Sequence, residues 1–121
     1  MKYRELIKRV QLYSGFSDVE SKDALDGTTA VIALHLTEGE RRKFASQLPE
    51  ELQAVALAVY PTEENTSADI FKQFQIEQHI PEDRAKKQLL SAWRALKEAL
   101  STGLIEHIKA QLPKRTIELL H

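Results

Sequence analysis

Apolar residues recur at steps of three and four positions along most of the chain, which is the spacing of a helix that buries one face. The first such stripe consists of Tyr3, Leu6, Ile7, Val10 and Tyr13. No stretch shows the two-residue alternation that is typical of a half-buried strand. The pattern therefore predicts an all-α fold.

Polar signals between the apolar stripes mark where the helices of the first half begin and end. Gly15 follows the first stripe, and glycine readily takes the left-handed conformation that ends a helix. Ser17 with Glu20, and Thr37 with Glu40, have the spacing of a capping box, in which the two side chains satisfy backbone donors at the helix start. These signals separate three predicted helices.

A proline predicts a corner and a fourth helix in this half. Pro49 lacks a backbone donor and disfavours helix at Leu48, yet proline suits the first turn of a new helix. We therefore expect a sharp corner followed by a short helix. The predicted helices run from about Lys2 to Tyr13, from Ser17 to about Leu36, from Thr37 to Leu48 and onward from Pro49.

The whole pattern recurs 64 residues later without a gap. The segment from Thr37 to Pro49 matches the segment from Ser101 to Pro113, and both place Gln-Leu-Pro at the same distance from a glycine. Apolar positions agree at this offset as well, for example Ile32 with Leu96. We therefore predict a tandem duplication of a four-helix unit packed into one compact helical domain, with repeats at residues 1–60 and 67–121 and a linker at 61–66.

The second copy differs from the first at two helix starts. Thr66 or Ser67 is the expected cap of its first helix, and Pro81 stands where the first copy has its capping serine. Each copy has only about 55 residues, which leaves its core marginal without the other copy. We therefore expect the copies to share one cooperative core and to superpose about an approximate two-fold axis.

Composition places the chain among soluble globular proteins. Its 121 residues are 42% apolar and 29% charged. It contains no cysteine, which excludes disulfides, thiolate catalysis and cysteine-ligated zinc. The amino terminus lacks the apolar segment of a signal peptide, and the longest apolar runs, at residues 31–34 and 54–60, are far shorter than the roughly 20 residues of a membrane span. The expected location is therefore cytoplasmic, without a membrane partner.

Charge is nearly balanced over the chain but differs between its halves. The formal net charge is −1 and the isoelectric point is about 6.4, whereas a dedicated nucleic-acid binder usually has a strongly basic face. Residues 1–64 carry a net −3 and residues 65–121 a net +2. Consecutive helical residues point in different directions, so the two basic runs predict a solvated surface with ion pairs rather than a phosphate-binding patch. These runs consist of Arg41, Arg42 and Lys43 and of Arg84, Lys86 and Lys87.

Several of these features together resemble one known family over the whole chain. A tyrosine-led first helix, a capped long helix, a glycine-marked turn and the duplicated Gln-Leu-Pro are similar to the domain of unknown function 2267 family, which consists of small bacterial proteins with two related halves. The resemblance implies a helical fold and a bacterial cytosolic setting, and it supplies no activity and no catalytic residues. The sequence departs from the family where an acidic residue often follows the second Leu-Pro, since Lys114 and Arg115 stand there.

Residues that carry catalytic or metal chemistry form no constellation in the sequence. The four histidines, His35, His79, His107 and His121, are too far apart to supply two metal ligands from neighbouring turns of one helix. No phosphate-binding glycine loop or nucleophile elbow occurs. The sequence therefore indicates no cofactor, no metal and no catalytic residue, while a catalytic site assembled by tertiary folding stays open.

Gln47 and Gln111 are the candidate functional residues, because the duplication keeps a polar side chain at both positions. In one interpretation, each amide satisfies a backbone group at the corner where one helix ends and the next begins. In the other interpretation, the two amides line a shared cleft.

Two residues of the long helices carry predictions about packing. Trp93, the only tryptophan, lies on an apolar stripe and is expected to anchor the core rather than to form a ligand platform. Gly27 either weakens its helix by up to about 1 kcal/mol or permits a close contact with another helix.

Two function hypotheses from different classes follow. The first is a non-catalytic helical interaction or regulatory module that binds another protein, since paired helices offer grooves to a partner helix. The alternative is a small-molecule binding protein that uses an apolar cleft between the two repeats. An enzyme and a nucleic-acid binder rank behind both, because neither a catalytic motif nor a strongly basic balance supports them.

Overall fold

The described residues form eight helices and no β-strand, as the hydrophobic pattern predicts. The structure, a computed structural model, describes residues 1–62 and 70–120, with the backbone alone at 70, 75–77, 115 and 119. The predicted caps Thr66 and Ser67 and linker residues 63–66 lie outside these ranges. None of the described helices has both the length and the apolar character needed to cross a bilayer. In chain order the helices are α1 Tyr3–Ser14, α2 Asp18–Leu34, α3 Glu38–Ser46, α4 Glu50–Leu57, α5 Ile70–Gln78, α6 Glu82–Ala99, α7 Thr102–Gln111 and α8 Lys114–Leu119.

The two predicted capping boxes are confirmed. At the start of α2, the Ser17 N–H donates to Glu20 Oε1 at 2.8 Å and the Glu20 N–H donates to Ser17 Oγ at 3.1 Å. Thr37 and Glu40 exchange the same pair of bonds at the start of α3, at 3.2 and 3.3 Å. Both helices therefore begin where the sequence supplies acceptors for free backbone N–H groups.

The end of α2 comes earlier than the sequence predicts, at Leu34 rather than near Leu36. The His35 and Leu36 N–H groups bond to carbonyls three residues back, at 3.0 and 3.2 Å. This tighter turn closes the helix ahead of the Thr37 cap. The cap of the following helix therefore sets where α2 stops.

The predicted proline corners are confirmed in both halves. α3 ends at Ser46, and α4 begins only at Glu50. Pro49 is the residue that caps α4, and its carbonyl accepts bonds from the Leu52 and Gln53 N–H groups, each at 2.9 Å. Pro113 holds the same position before α8. Proline thus stands one position ahead of the first helical residue, where its missing N–H leaves no bond unmade.

α2 and α6, the two longest helices, pack against each other and against most of the remaining helices. α1 packs against both of them, α5 packs against α6, and α4 packs against α2 and α3. Trp93 on α6 is 1% exposed, which confirms it as a core anchor. Other large, fully buried side chains include Phe44, Phe74, Leu25, Leu89 and Leu96.

Gly27 permits a close helix contact, the second of its two predicted roles. A β-carbon at this position would lie 2.5 Å from Phe74 Cε1 and 2.6 Å from Gln78 Nε2, both on α5. Phe74 is itself buried, so its ring has no free space into which to move. The missing side chain of Gly27 is therefore what lets α5 approach α2.

Helix starts in the two halves are separated by the repeat offset. Asp18 and Glu82, which begin α2 and α6, are 64 residues apart, and the same offset separates the starts of α3 and α7 and of α4 and α8. Gly15 and His79 are also 64 residues apart, and both have left-handed backbone, with φ of 77° and 53°. Superposition of the halves about a two-fold axis remains a prediction.

Gly27→Ala is expected to destabilise the protein by about 1–2 kcal/mol, because the added methyl group overpacks the contact with Phe74. Gly39 is the matched control, since it lies in α3 and a β-carbon there would meet nothing within 4 Å. Gly39→Ala is expected to stabilise by about 0.5 kcal/mol, because alanine loses less conformational freedom on folding. Urea denaturation measures both changes. A gain in stability from both substitutions would contradict the packing role of Gly27.

Trp93→Ala is expected to lower the free energy of unfolding by roughly 3–5 kcal/mol and to destabilise both halves together. The reason is that α6, which carries Trp93, packs against α1 and α2 of the other half. Thermal unfolding followed by NMR signals from each half checks this. In a companion experiment, residues 1–62 and 63–121 are expressed separately and are each expected to melt below the full chain. A fragment that kept the melting temperature of the parent would show that the halves are independent domains.

Candidate functional site

Gln47 follows α3 and binds the start of α7, in the other half of the chain. Its Oε1 accepts a hydrogen bond from the Ser101 N–H at 2.7 Å, and its Nε2 donates to Ser101 Oγ at 3.1 Å. Ser101 Oγ also accepts from the Leu104 N–H at 3.3 Å and so caps α7. The Gln47 amide thus satisfies a backbone group at a helix start, as one interpretation expects, but at the corner before α7 rather than at its own.

Gln53 supplies the amide at the corner that follows α3. Its Nε2 donates to the Leu48 carbonyl at 2.9 Å, immediately before the proline that caps α4. The sequence analysis did not identify this role. The signal that could have found it is a polar side chain on the first turn of α4, within reach of a carbonyl left free by the helix break.

Gln111 has different surroundings from Gln47. Its side chain is exposed and makes no hydrogen bond to another described residue. Gln47 contacts the first turn of α7 and Gln111 is its last residue, so the two lie at opposite ends of a helix about 15 Å long. The structure therefore does not bring the two amides to one cleft.

A surface cavity of about 280 Å³ lies between α3 and α7, beside Gln47. His107 Nδ1 on its wall is 3.9 Å from Glu40 Oε2. The hydrogen bond from the Thr37 hydroxyl is the main cause that lowers the pKa of Glu40, so this carboxylate stays charged next to the imidazole. Apart from Leu104 and Gly103 the lining side chains are polar, which differs from the apolar cleft that the sequence analysis considered. The lining residues are Lys43, Ser46, Gln47, Ser101, Gly103, Leu104 and His107.

The basic run at the start of α3 separates into three different contacts, as helical geometry predicts. The Arg41 guanidinium donates to the Ala33 carbonyl at 3.0 Å and to the Leu36 carbonyl at 2.9 Å, and so satisfies the end of α2. Arg42 pairs with Glu38 within the same helix. Lys43 points into the cavity beside Gln47. The run therefore does not form one patch.

The second basic run joins α6 to the other half of the chain. Arg84 is 2.7 Å from Glu20 Oε2 at the start of α2, and its guanidinium lies 4.3 Å from the centre of the Phe16 ring. Lys87 lies over the same ring at 5.3 Å. Lys86 pairs with Glu82 one turn away. Arg84 is therefore committed to a contact between the halves, whereas the ammonium group of Lys87 keeps its charge unpaired among the described residues.

α1 and α6 run antiparallel along a seam of interlocked polar side chains. The Tyr13 hydroxyl donates to Glu98 Oε1 at 3.1 Å, and Arg9 Nε lies 3.9 Å from Glu98 Oε2. The Arg94 guanidinium stacks on the Tyr13 ring, 4.0 Å from its centre. Because each of these side chains has a partner across the seam, its orientation is fixed.

Two exposed leucines flank this seam. Leu12 on α1 is 70% exposed and lies one turn from Arg9, while Leu90 on α6 is 40% exposed and lies one turn from Arg94. A shallow surface cavity of about 390 Å³ runs beside Leu12. We call this region the α1–α6 surface and define it by Glu5, Lys8, Arg9, Leu12, Tyr13, Lys87, Leu90, Arg94 and Glu98.

The sequence analysis missed the α1–α6 surface because its residues come from distant parts of the chain. Leu12 was the available signal, since it stands off the apolar stripe of the first helix. Arg94 and Glu98 are spaced one turn apart on α6, which indicates a shared face but not which helix packs beside it.

The histidines occupy separate positions. His35 follows α2, where partial burial lowers its pKa. His79 is exposed in left-handed backbone, His107 lies near Glu40, and His121 lies outside the described residues. Groups of three or more histidine or acidic side chains that could hold a metal ion are not found among the described residues.

Tyr3 and Asp26 form a polar contact between α1 and α2. The Tyr3 hydroxyl donates to Asp26 Oδ1 at 3.0 Å. Burial raises the pKa of both groups, and the neighbouring carboxylate raises that of Tyr3 further. The tyrosine therefore remains protonated and acts as the donor that ties the first helix to the second.

The family model described as "Uncharacterized conserved protein (DUF2267)" matches residues 3–119. The chain belongs to the DUF2267 family. The family resemblance seen in the sequence is thus confirmed. No curated protein and no solved structure matches the chain. Because the family description names no activity, the function of this DUF2267 protein has to be argued from its geometry.

Gln47→Ala in this DUF2267 protein is expected to lower the free energy of unfolding by about 1–2 kcal/mol, because it removes both hydrogen bonds to Ser101. Gln111→Ala is the matched control, since it makes the same substitution at the equivalent position of the second half. It is expected to change stability by less than about 0.5 kcal/mol. Urea denaturation of both variants provides the comparison. Equal losses would show that the bonds to Ser101 do not distinguish the two glutamines.

Proposed function

We propose that this DUF2267 protein is a non-catalytic helical module that binds a helix of a partner protein at the α1–α6 surface. The observation that carries the proposal is the exposure of two leucines, Leu12 and Leu90, on either side of an ordered seam between two helices. A groove between packed helices that offers apolar contacts suits the apolar face of a third helix.

Order in the seam supports this proposal more than leucine exposure alone. Single exposed leucines are common on soluble proteins and need no functional explanation. Here the side chains between the leucines are held by Tyr13, Arg94 and Glu98 in mutual contact. A surface that is already ordered loses less conformational freedom when a partner binds, and so binds more tightly for the same area.

A second candidate function is small-molecule binding, and the cavity between α3 and α7 is the observation that favours it. The cavity joins the two halves, which is a common place for ligand sites. Its polar lining favours a small polar ligand rather than the apolar one considered from the sequence. A ligand that stays bound in native mass spectrometry of the purified protein, and that Lys43→Ala releases, would favour this function.

We also infer that the two halves arose by duplication in a bacterial cytoplasmic protein. Glu20 and Arg84 support the duplication, because they occupy equivalent positions 64 residues apart and contact each other at 2.7 Å. Two equivalent residues of a two-fold arrangement meet only near its axis. The family resemblance supports the bacterial cytosolic setting.

The experiment places a photo-crosslinking amino acid at position 8, in place of Lys8, in cells that make the protein. Lys8 lies one turn from Leu12, so a helix seated on the surface comes within reach of the crosslinker. We expect a discrete covalent adduct with one partner protein, identified by mass spectrometry. Leu12→Asp is expected to abolish the adduct, because it places a charge in the apolar contact.

The matched control for this substitution is Leu57→Asp. Leu57 on α4 is 55% exposed and lies outside the α1–α6 surface, so its replacement is expected to leave the adduct unchanged. Melting curves establish that both variants are folded. An adduct that survives Leu12→Asp, or the absence of any adduct, would contradict the proposed function.

A further inference from the structure

The charge of the α1–α6 surface points to the chemistry of the partner. This surface carries four basic side chains against the carboxylates of Glu5 and Glu98, a net +2 on a chain whose net charge is −1. We infer that the partner segment is an acidic amphipathic helix, whose apolar residues contact Leu12 and Leu90 and whose carboxylates face the basic side chains. This inference rests on the proposed function and adds to it the chemical class of the partner.

Only part of this positive charge is neutralised within the protein. Arg9 lies 3.9 Å from Glu98, but Lys8, Lys87 and Arg94 have no carboxylate partner in the described part of the chain. Lys87 and Arg94 contact aromatic rings, which orient their side chains without cancelling their charge. Carboxylates of a partner therefore meet a favourable potential without having to displace an ion pair.

The equivalent positions of the first half have the opposite character. Asp23 and Ala30 of α2 stand 64 residues before Lys87 and Arg94 of α6. Both long helices form and pack against each other with their own residues at these positions. Helix formation and packing therefore do not require basic side chains there, and we attribute the positive charge of the α1–α6 surface to binding.

Two other classes of occupant fit the surface less well. A bilayer needs an apolar helix face to insert, and that face of α1 already lies in the core through Leu6, Ile7 and Val10. A nucleic acid would bring phosphates against Glu5 and Glu98 as well as against the basic side chains. An acidic amphipathic helix offers a partner to both the leucines and the cations, because it presents apolar and charged faces around one axis.

The test uses the full chain and three fluorescent peptides of about 18 residues, each held helical by a hydrocarbon staple. All three share leucines at helical spacing and differ only in whether their polar face consists of glutamate, glutamine or lysine. By fluorescence anisotropy, the glutamate peptide is expected to bind about tenfold or more tightly than the glutamine peptide, and the lysine peptide is expected not to bind. Amide NMR shifts caused by the glutamate peptide are expected on α1 and α6.

Paired variants connect the affinity to the surface. Lys87→Asp combined with Arg94→Ala installs the residues found at the equivalent positions of α2, and is expected to weaken binding of the glutamate peptide by about tenfold or more. Lys114→Glu on α8 reverses an exposed charge outside the surface, and is expected to leave the affinity within about twofold. Melting curves establish that each variant is folded before its affinity is compared.

Each contrary outcome overturns the inference in a recognisable way. Equal affinity of the glutamate and glutamine peptides, with shifts on α1 and α6, would overturn the acidic partner and leave the proposed function in place. If no peptide shifts the amides of α1 and α6, the inference fails, and the crosslink at position 8 decides the proposed function separately. Tighter binding of anionic phospholipid vesicles or duplex DNA, or self-association that Arg94→Ala abolishes, would assign the surface to another occupant.

Discussion

The packing of α2 against α6 is the contact on which the other helices depend. These two helices belong to different halves, and each supports the first helix of both halves, since α1 packs against both and α5 packs on α6 and reaches α2 at Gly27. Protein interiors are close packed, so one absent side chain determines how near α5 can come. The same arrangement places α1 of one half beside α6 of the other and thereby creates the α1–α6 surface.

Directed polar bonds complement this apolar packing between the halves. Gln47 binds both the backbone and the hydroxyl of Ser101, and Glu20 serves two roles, as the capping residue of α2 and as the partner of Arg84. The hydrogen bond from the Ser17 N–H is the main cause that lowers the pKa of Glu20, and Arg84 lowers it further. Hydrogen bonds have narrow geometry, so they specify the alignment of helices that apolar contacts alone would hold less precisely in register.

Basic residues that are neighbours in sequence and basic residues that are neighbours in space have different roles in this protein. Arg41 satisfies carbonyls at the end of α2, and Arg84 joins the halves, so the most basic stretches of the sequence are partly used in the structure itself. The positive charge available to a partner comes from single residues of α1 and α6, such as Lys8 and Arg94. Functional hypotheses based on runs of charge therefore pointed to the wrong part of the molecule.

Local chemistry in the sequence determined the helices, their caps and their corners, because each depends on residues within one or two turns. The capping boxes at Ser17 and Thr37 and the break before Pro49 are of this kind, and the core position of Trp93 follows from its apolar stripe. Only the tertiary structure decided that Gln47 binds Ser101 and that α1 lies beside α6. Such contacts join residues more than 50 positions apart, and helical periodicity shows which face of a helix is buried but not which distant helix covers it.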